Sequence, residues 1–102
     1  MEDKNFLKDK TAVFIGQSIL LKNCIDLAKN KFKKIYVVTE DRNIAKFLNK
    51  KYKIIKNKNL KKYKFDFLFN ILSKKIIDEK ILKNIKYLSI NFHDGPLPKY
   101  AG

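Results

Sequence analysis

The chain alternates between two periodicities, and that alternation limits its fold more than any other feature. TAVFIG, residues 11–16, is a β-branched and aromatic run ending in glycine. It has the length and composition of a buried strand. QSILLKNCIDLAKNKF follows, with Ile19, Leu20, Asn23, Cys24 and Leu27 at three- and four-residue spacing, which predicts one face of a helix. Ser18 stands at its start as a helix cap. KKIYVVTED predicts a strand over residues 35–39. Thr39 or Asp41 then caps a second helix, striped by Ile44, Phe47 and Leu48. KYKIIKN predicts a short strand at 53–55, and NLKKYK one helical turn or a loop. FDFLFNIL is the most apolar segment and predicts a central strand over residues 65–71. A short helix led by Asp78 and a last strand at 87–92, YLSINF, complete the series.

Strand and helix alternate from start to finish. The expected class is therefore α/β: a doubly wound, mostly parallel five-stranded sheet with flanking helices. At 102 residues one domain is expected. It is read as residues 11–102, preceded by a polar, flexible stretch at 1–10. No internal repeat or Gly/Ser linker divides it.

Composition narrows the function classes. No apolar run approaches the ~20 residues of a membrane helix, and the opening MEDKNFLKDKTAVF lacks the form of a signal peptide. Cys24 is the lone cysteine, which predicts neither a disulfide framework nor a metal cluster and suits a reducing cytoplasm. The formal charge of +14 comes from 24 basic and 10 acidic side chains, and such a field attracts anions. Lys, Asn and Ile are abundant throughout, so a coding bias toward AT-rich codons also accounts for it.

Two places hold residues suited to chemistry. The GQS turn, Gly16 to Ser18, joins the first strand to the first helix, where a helix N-terminus can take an anion. It lacks the full G-x-G-x-x-G pattern, so the turn alone does not predict a dinucleotide site. The second place is the exit from YLSINF. Asn91 and His93 are two residues apart, and in extended backbone they share a side. An asparagine amide can stabilise an oxyanion, and a histidine can move a proton near neutrality. Pro96 and Pro98 stiffen the loop beyond.

INFHDGPLPKYAG, at the end of the chain, resembles the active-site segment of folate-dependent formyltransferases. The HDGPLP form is most similar to the domains attached to biosynthetic assembly lines. DFLFNILSKKIIDEKIL, residues 66–82, resembles the family's strand, folate loop and short helix. The N-terminal half matches only in rhythm and in VFIGQS.

The resemblance implies a transfer of formyl from 10-formyltetrahydrofolate, without a metal, to an amine acceptor. It implies that Asn91 and His93 are catalytic, and that Lys74, Lys75, Ile76, Ile77 and Leu97 bind the folate. Gly16 and Gln17 would face the amine substrate. The family's further aspartate would lie beyond Gly102, and Asp94 leaves its strand on the wrong side to replace it. The expectation is a formyltransferase-like fragment, weak or inactive alone. The last strand would be an exposed edge open to self-association or a complementing chain. Two alternatives accompany it: half of a split active formyltransferase, and a small basic nucleic-acid-binding module built on KNKNLKKYKF. No RNA-binding motif accompanies those lysines, so nucleic acid is the less favoured partner. No membrane partner is expected.

Overall fold

Five strands build one sheet in the order β3-β2-β1-β4-β5, every neighbouring pair parallel. They are β1 (Thr11–Gly16), β2 (Lys34–Val38), β3 (Lys53–Ile54), β4 (Phe65–Ile71) and β5 (Ile85–Phe92). The helices are α1 (Ile19–Ala28), α2 (Arg42–Leu48) and α3 (Glu79–Lys83), with 3-10 turns at Phe6–Asp9 and Asn57–Lys62. This computed structural model describes residues 5–73 and 77–92.

The expected class is thus present, and all the strand pairs are parallel. The central strands β1 and β4 run through nearly continuous apolar sequence because both sheet faces are covered. Ala12, Phe14, Ile35, Val37 and Ile71 face α1 and α2, meeting Leu21, Ile25 and Leu48. Val13, Ile15, Val38, Phe65 and Leu68 form a second core with Ile55 and Leu60, joined by Ile77 and Ile81. The segment NLKKYK closes that second face as a 3-10 turn through Leu60, which is fully buried.

The α1 face differs from the sequence expectation. Leu21 and Ile25 are buried, with Cys24 and Ala28 packed beside them, whereas Ile19 and Leu27 are exposed. Both stripes satisfy helical spacing. Packing against Phe14 and the end of β1 selects the one centred on Leu21 and Ile25. Asp41, not Thr39, caps α2, accepting from the backbone N–H groups of Asn43 and Ile44 at 2.9 and 3.0 Å. Asp78 caps α3 likewise, accepting from Lys80.

β5 begins two residues earlier than its apolar run suggests. A register irregularity lies between Phe65 and Phe67 of β4, where Ile85 and Leu88 are the partners on β5. The extra residue on β5 is a bulge. Tyr87 stacks there on Phe67, with Phe6 edge-on against its outer side. β5 is the outermost strand of the described sheet, and Tyr87, Leu88 and Phe92 remain exposed.

One side-chain carboxylate ties β1 to β4 at the amino end of the sheet. Asp66 Oδ2 accepts from the Thr11 backbone N–H at 2.8 Å and from its hydroxyl at 3.4 Å. Asp66→Ala strips the N–H of its acceptor, at an expected cost of about 1–2 kcal/mol. Urea unfolding of the variant measures it, and an unchanged midpoint would rule the tie out as a stabilising contact.

Candidate functional site

The order in which the chain lays down its strands reverses beside β1. From β1 the connection through α1 runs outward to β2 and β3, and the next strand, β4, returns to β1's other side. The carboxyl ends of β1 and β4 therefore lie at the topological switch point of the sheet, the place where open α/β sheets hold their ligands.

Gly16 closes β1 directly against β4, opposite Ile71. A Cβ at Gly16 would lie 2.7 Å from the Ile71 carbonyl oxygen. Its φ is not positive, so the glycine is required by the approach of two backbones and not by a left-handed turn.

Gln17 and Ser18 follow as the entry to α1. Gln17 Oε1 accepts from the Glu40 backbone N–H and from Thr39 Oγ1, linking this turn to the end of β2. That role leaves Gln17 Nε2 buried without a partner. Ser18 holds the N-cap position in extended conformation, yet its hydroxyl makes no capping bond, contrary to the sequence expectation. The Ser18 Oγ is also buried and unpartnered. The first turn of α1 accordingly presents backbone donors with no side-chain acceptor from its own cap.

Asn70 completes the group. It is the penultimate residue of β4, paired with Ile15 on one side and Asn91 on the other. Only 3% exposed, it stands in an otherwise apolar core with Oδ1 unpartnered. Among the described residues, the buried side-chain polar atoms lacking a partner are Gln17 Nε2, Ser18 Oγ and Asn70 Oδ1. All three belong to the carboxyl ends of β1 and β4. Buried polar groups are normally paired, because an unmade bond costs the full desolvation of the group. Just beyond, Leu72 has φ 54°, a left-handed conformation unusual for leucine. Its N–H donates to the Phe92 carbonyl at 3.1 Å, holding the ends of β4 and β5 together. Strained backbone of this kind gathers at functional sites.

The sequence-predicted residues distribute unevenly. Gly16 and Gln17 belong to this crevice. Asn91 lies two strands from β1, beside Asn70 on β5. Ile77 packs against the second core. His93, Lys74, Lys75, Ile76 and Leu97 lie outside the described residues, as do Asp94, Pro96 and Pro98. Thr39, Glu40 and Asn70, which the sequence did not single out for a site, lie at these same strand ends with the GQS turn. Asn70 carried a legible signal: an asparagine inside FDFLFNIL, where burial demands a reason. Cys24 is half-buried, and burial pushes its thiol pKa up, away from the depressed values of reactive thiols. Among the described residues no cluster of three His, Cys, Asp or Glu side chains could hold a metal. None of the described helices is long and apolar enough to cross a membrane.

No protein-family model matches the chain, and no curated protein matches it. Solved structures do. Shikimate dehydrogenase 1 from Peptoclostridium difficile aligns with TM-score 0.67 and 23% identity, over 83% of this chain and 34% of its own. A chorismate mutase/shikimate 5-dehydrogenase fusion protein from Clostridium acetobutylicum aligns with TM-score 0.65 and 20% identity, over 83% and 34%. L-tryptophan dehydrogenase from Nostoc punctiforme aligns with TM-score 0.66 and 12% identity, over 86% and 28%. The chain spans about a third of the length of these structures. At such identities the likeness establishes a Rossmann-like fold.

These neighbours correct the formyltransferase expectation. They are dehydrogenases, and no formyltransferase stands among them. Formyl transfer, its split-enzyme variant and the 10-formyltetrahydrofolate donor are withdrawn with it. The basic-module alternative gains no support from them either. The physical reason is that only the last third of the chain carried a specific motif in that resemblance. A short motif on a widely shared fold does not carry function with it.

Proposed function

We propose that this chain is a nucleotide-binding unit of the dehydrogenase type, holding a dinucleotide at the carboxyl ends of β1 and β4. The observation that carries this reading is that Gln17 Nε2, Ser18 Oγ and Asn70 Oδ1 are unpartnered at the carboxyl ends of β1 and β4, where the strand order switches. The neighbours named as dehydrogenases supply the ligand class by analogy of fold.

The residues fit such a ligand in a particular way. In the usual fingerprint a second and a third glycine follow the first, for close approach to the pyrophosphate and for helix–strand packing. Ser18 and Leu21 occupy those places. Leu21 is fully buried and fills the helix–strand contact with a side chain. Ser18 replaces bare backbone with a hydroxyl donor. The phosphate is therefore held by Ser18 Oγ, Gln17 Nε2 and the N–H groups opening α1, with the helix dipole adding to the attraction. Glu40, just past β2, would meet a ribose hydroxyl. The nicotinamide ring supplies hydride chemistry when bound. This chain's own residues bind and orient the ligand, and the net charge of +14 draws the anion in.

Calorimetric titration with NAD⁺ and ADP tests the reading. Saturable binding is expected for both. Ser18→Ala removes one donor and should weaken each by about tenfold, the value of one hydrogen bond to a charged group. An absence of heat at millimolar nucleotide would sink the proposal.

A further inference from the structure

Helices cover the two faces of the sheet unequally. α1 and α2 pack on one face, whereas α3 and the 3-10 turn at Asn57–Lys62 pack on the other. Among the described residues no helix lies beyond α1 on the first face of β4 and β5. Paired residues of parallel strands share a side. Phe67 and Phe69 are paired with Ala12 and Phe14, so they stand on the α1 face. Leu88, Ile90 and Phe92 are paired with Phe67, Phe69 and Ile71 and stand there too. β4 has a strand on each side, yet Phe67 and Phe69 are only half-buried, while Leu68 on its opposite face is buried. On β5, Leu88 and Phe92 are 49% and 46% exposed.

α1 borders this apolar strip. Successive residues of a helix turn by about 100°. Lys22, one residue after the buried Leu21, reaches toward α2, with Nζ 5.0 Å from the centre of the Phe47 ring. Leu20, one residue before Leu21, therefore leaves the opposite flank, toward β4. Leu27 follows Leu20 along that flank, and both are exposed. Two strands spaced by about 4.8 Å make the strip roughly 10 Å wide, the diameter of one helix with its side chains. From Phe67 to Ile71 it runs about 13 Å, the length of roughly nine helical residues.

The amino end of the strip is basic. Lys10 Nζ lies 5.6 Å from the centre of the Tyr87 ring and Lys86 Nζ 5.2 Å from it. The Lys33 backbone N–H donates to the Lys10 carbonyl, and Lys31 precedes Phe32, whose ring lies 5.7 Å from that of Phe67. These four lysines outnumber the carboxylates beside them, Asp9 and Asp66. A second copy of this chain suits the strip poorly, since each copy brings a net charge of +14. We propose that an amphipathic helix of an acidic partner polypeptide lies on the strip beside α1, its apolar stripe on Phe69 and Ile90 and its C-terminal end toward Lys33 and Lys86. The free carbonyls that end a helix carry partial negative charge, so acidic residues in its last turn and its direction act together. This is recognition of a helix by its apolar stripe, with charge setting the direction.

Fluorescence anisotropy of the full chain with three labelled synthetic peptides tests the proposal. The first peptide has leucines at i, i+3, i+4 and i+7 and two glutamates in its last turn. The second carries the glutamates in its first turn, and the third scrambles the first at equal charge. The first should bind saturably, and the second about fivefold more weakly at low salt. Leu27→Asn and Leu88→Asn are neutral changes at exposed positions of the α1 flank and the strip. Each should weaken the first peptide by about tenfold, and Leu27→Asn should melt as the unaltered chain does. Sedimentation equilibrium of the chain alone should show a monomer. A dimer lost in Leu88→Asn would make a second copy the occupant and overturn the proposal. Equal binding of the first and scrambled peptides, or indifference to both substitutions, would reduce the effect to lysines attracting acid and overturn it too. So would an absence of saturation at millimolar peptide.

Discussion

Leu21→Ala should lower the unfolding free energy by about 2–5 kcal/mol, the cost of a cavity left by a buried leucine. Leu21 is fully buried. It sits where α1 meets the end of β1, 3.4 Å from the position of a Gly16 Cβ. Helix and sheet close on each other around it, with Ile25 one turn further along. The control is Leu27→Ala on the same helix. Leu27 is 79% exposed, and its truncation should change stability by less than about 0.5 kcal/mol. Urea denaturation of the pair tests which stripe of α1 faces the core. Equal midpoints would mean that the helix is rotated from the arrangement described. A domain of this size holds roughly 5–15 kcal/mol in total, so Leu21→Ala takes a large share.

Gly16→Val should cost about 3 kcal/mol, the upper end of overpacking penalties. The atom met by the new Cβ is the Ile71 carbonyl oxygen, 2.7 Å away. That oxygen is backbone at the end of a central strand and cannot rotate aside as a side chain would. Relief requires β1 and β4 to separate, which breaks the pairing of Gly16 with Ile71 and disturbs that of Ile15 with Asn70. Gly16→Ala should fall between the two proteins. Thermal melts of the three check the order. A melting temperature in Gly16→Ala equal to the unaltered chain's would show that the strands give way freely, and would remove the reason for glycine here.

The strand series was legible because its periodicity is strong. β1 and β4 match their apolar runs at both ends, and the alternation of elements led directly to a parallel sheet. What the sequence conceals is the choice between faces of similar spacing. α1 has leucine or isoleucine at five positions, and only contact with Phe14 and Ile35 decides which turn inward. Ser18 shows a second limit. A serine before a helix reads as a cap, but its hydroxyl is unpartnered in the folded chain. The difference between a cap and a ligand contact is a rotation of one side chain. Asn70 shows a third. In FDFLFNIL an asparagine among apolar neighbours flags a buried polar group, but not the face or the edge it occupies. Its meaning comes from register, which places it opposite Ile15 at the edge where Gly16 ends β1. The terminal motif around Asn91 drew attention to β5, one strand beyond the switch point. Strand order, not local sequence, is what points the proposed nucleotide site to β1 and β4.

Amide chemical-shift mapping decides whether a nucleotide sits at the β1–β4 switch point, as proposed. On titration of the uniformly ¹⁵N-labelled chain with ADP-ribose, the largest shifts should fall on Gly16 to Ile19, Glu40, and Asn70 to Leu72. Lysines 56, 58, 61 and 62, on or beside the 3-10 turn that closes the second core, should stay nearly unmoved. Shifts concentrated on those lysines, with Gly16 and Asn70 unaffected, would show a diffuse attraction of anion to positive charge and contradict the account.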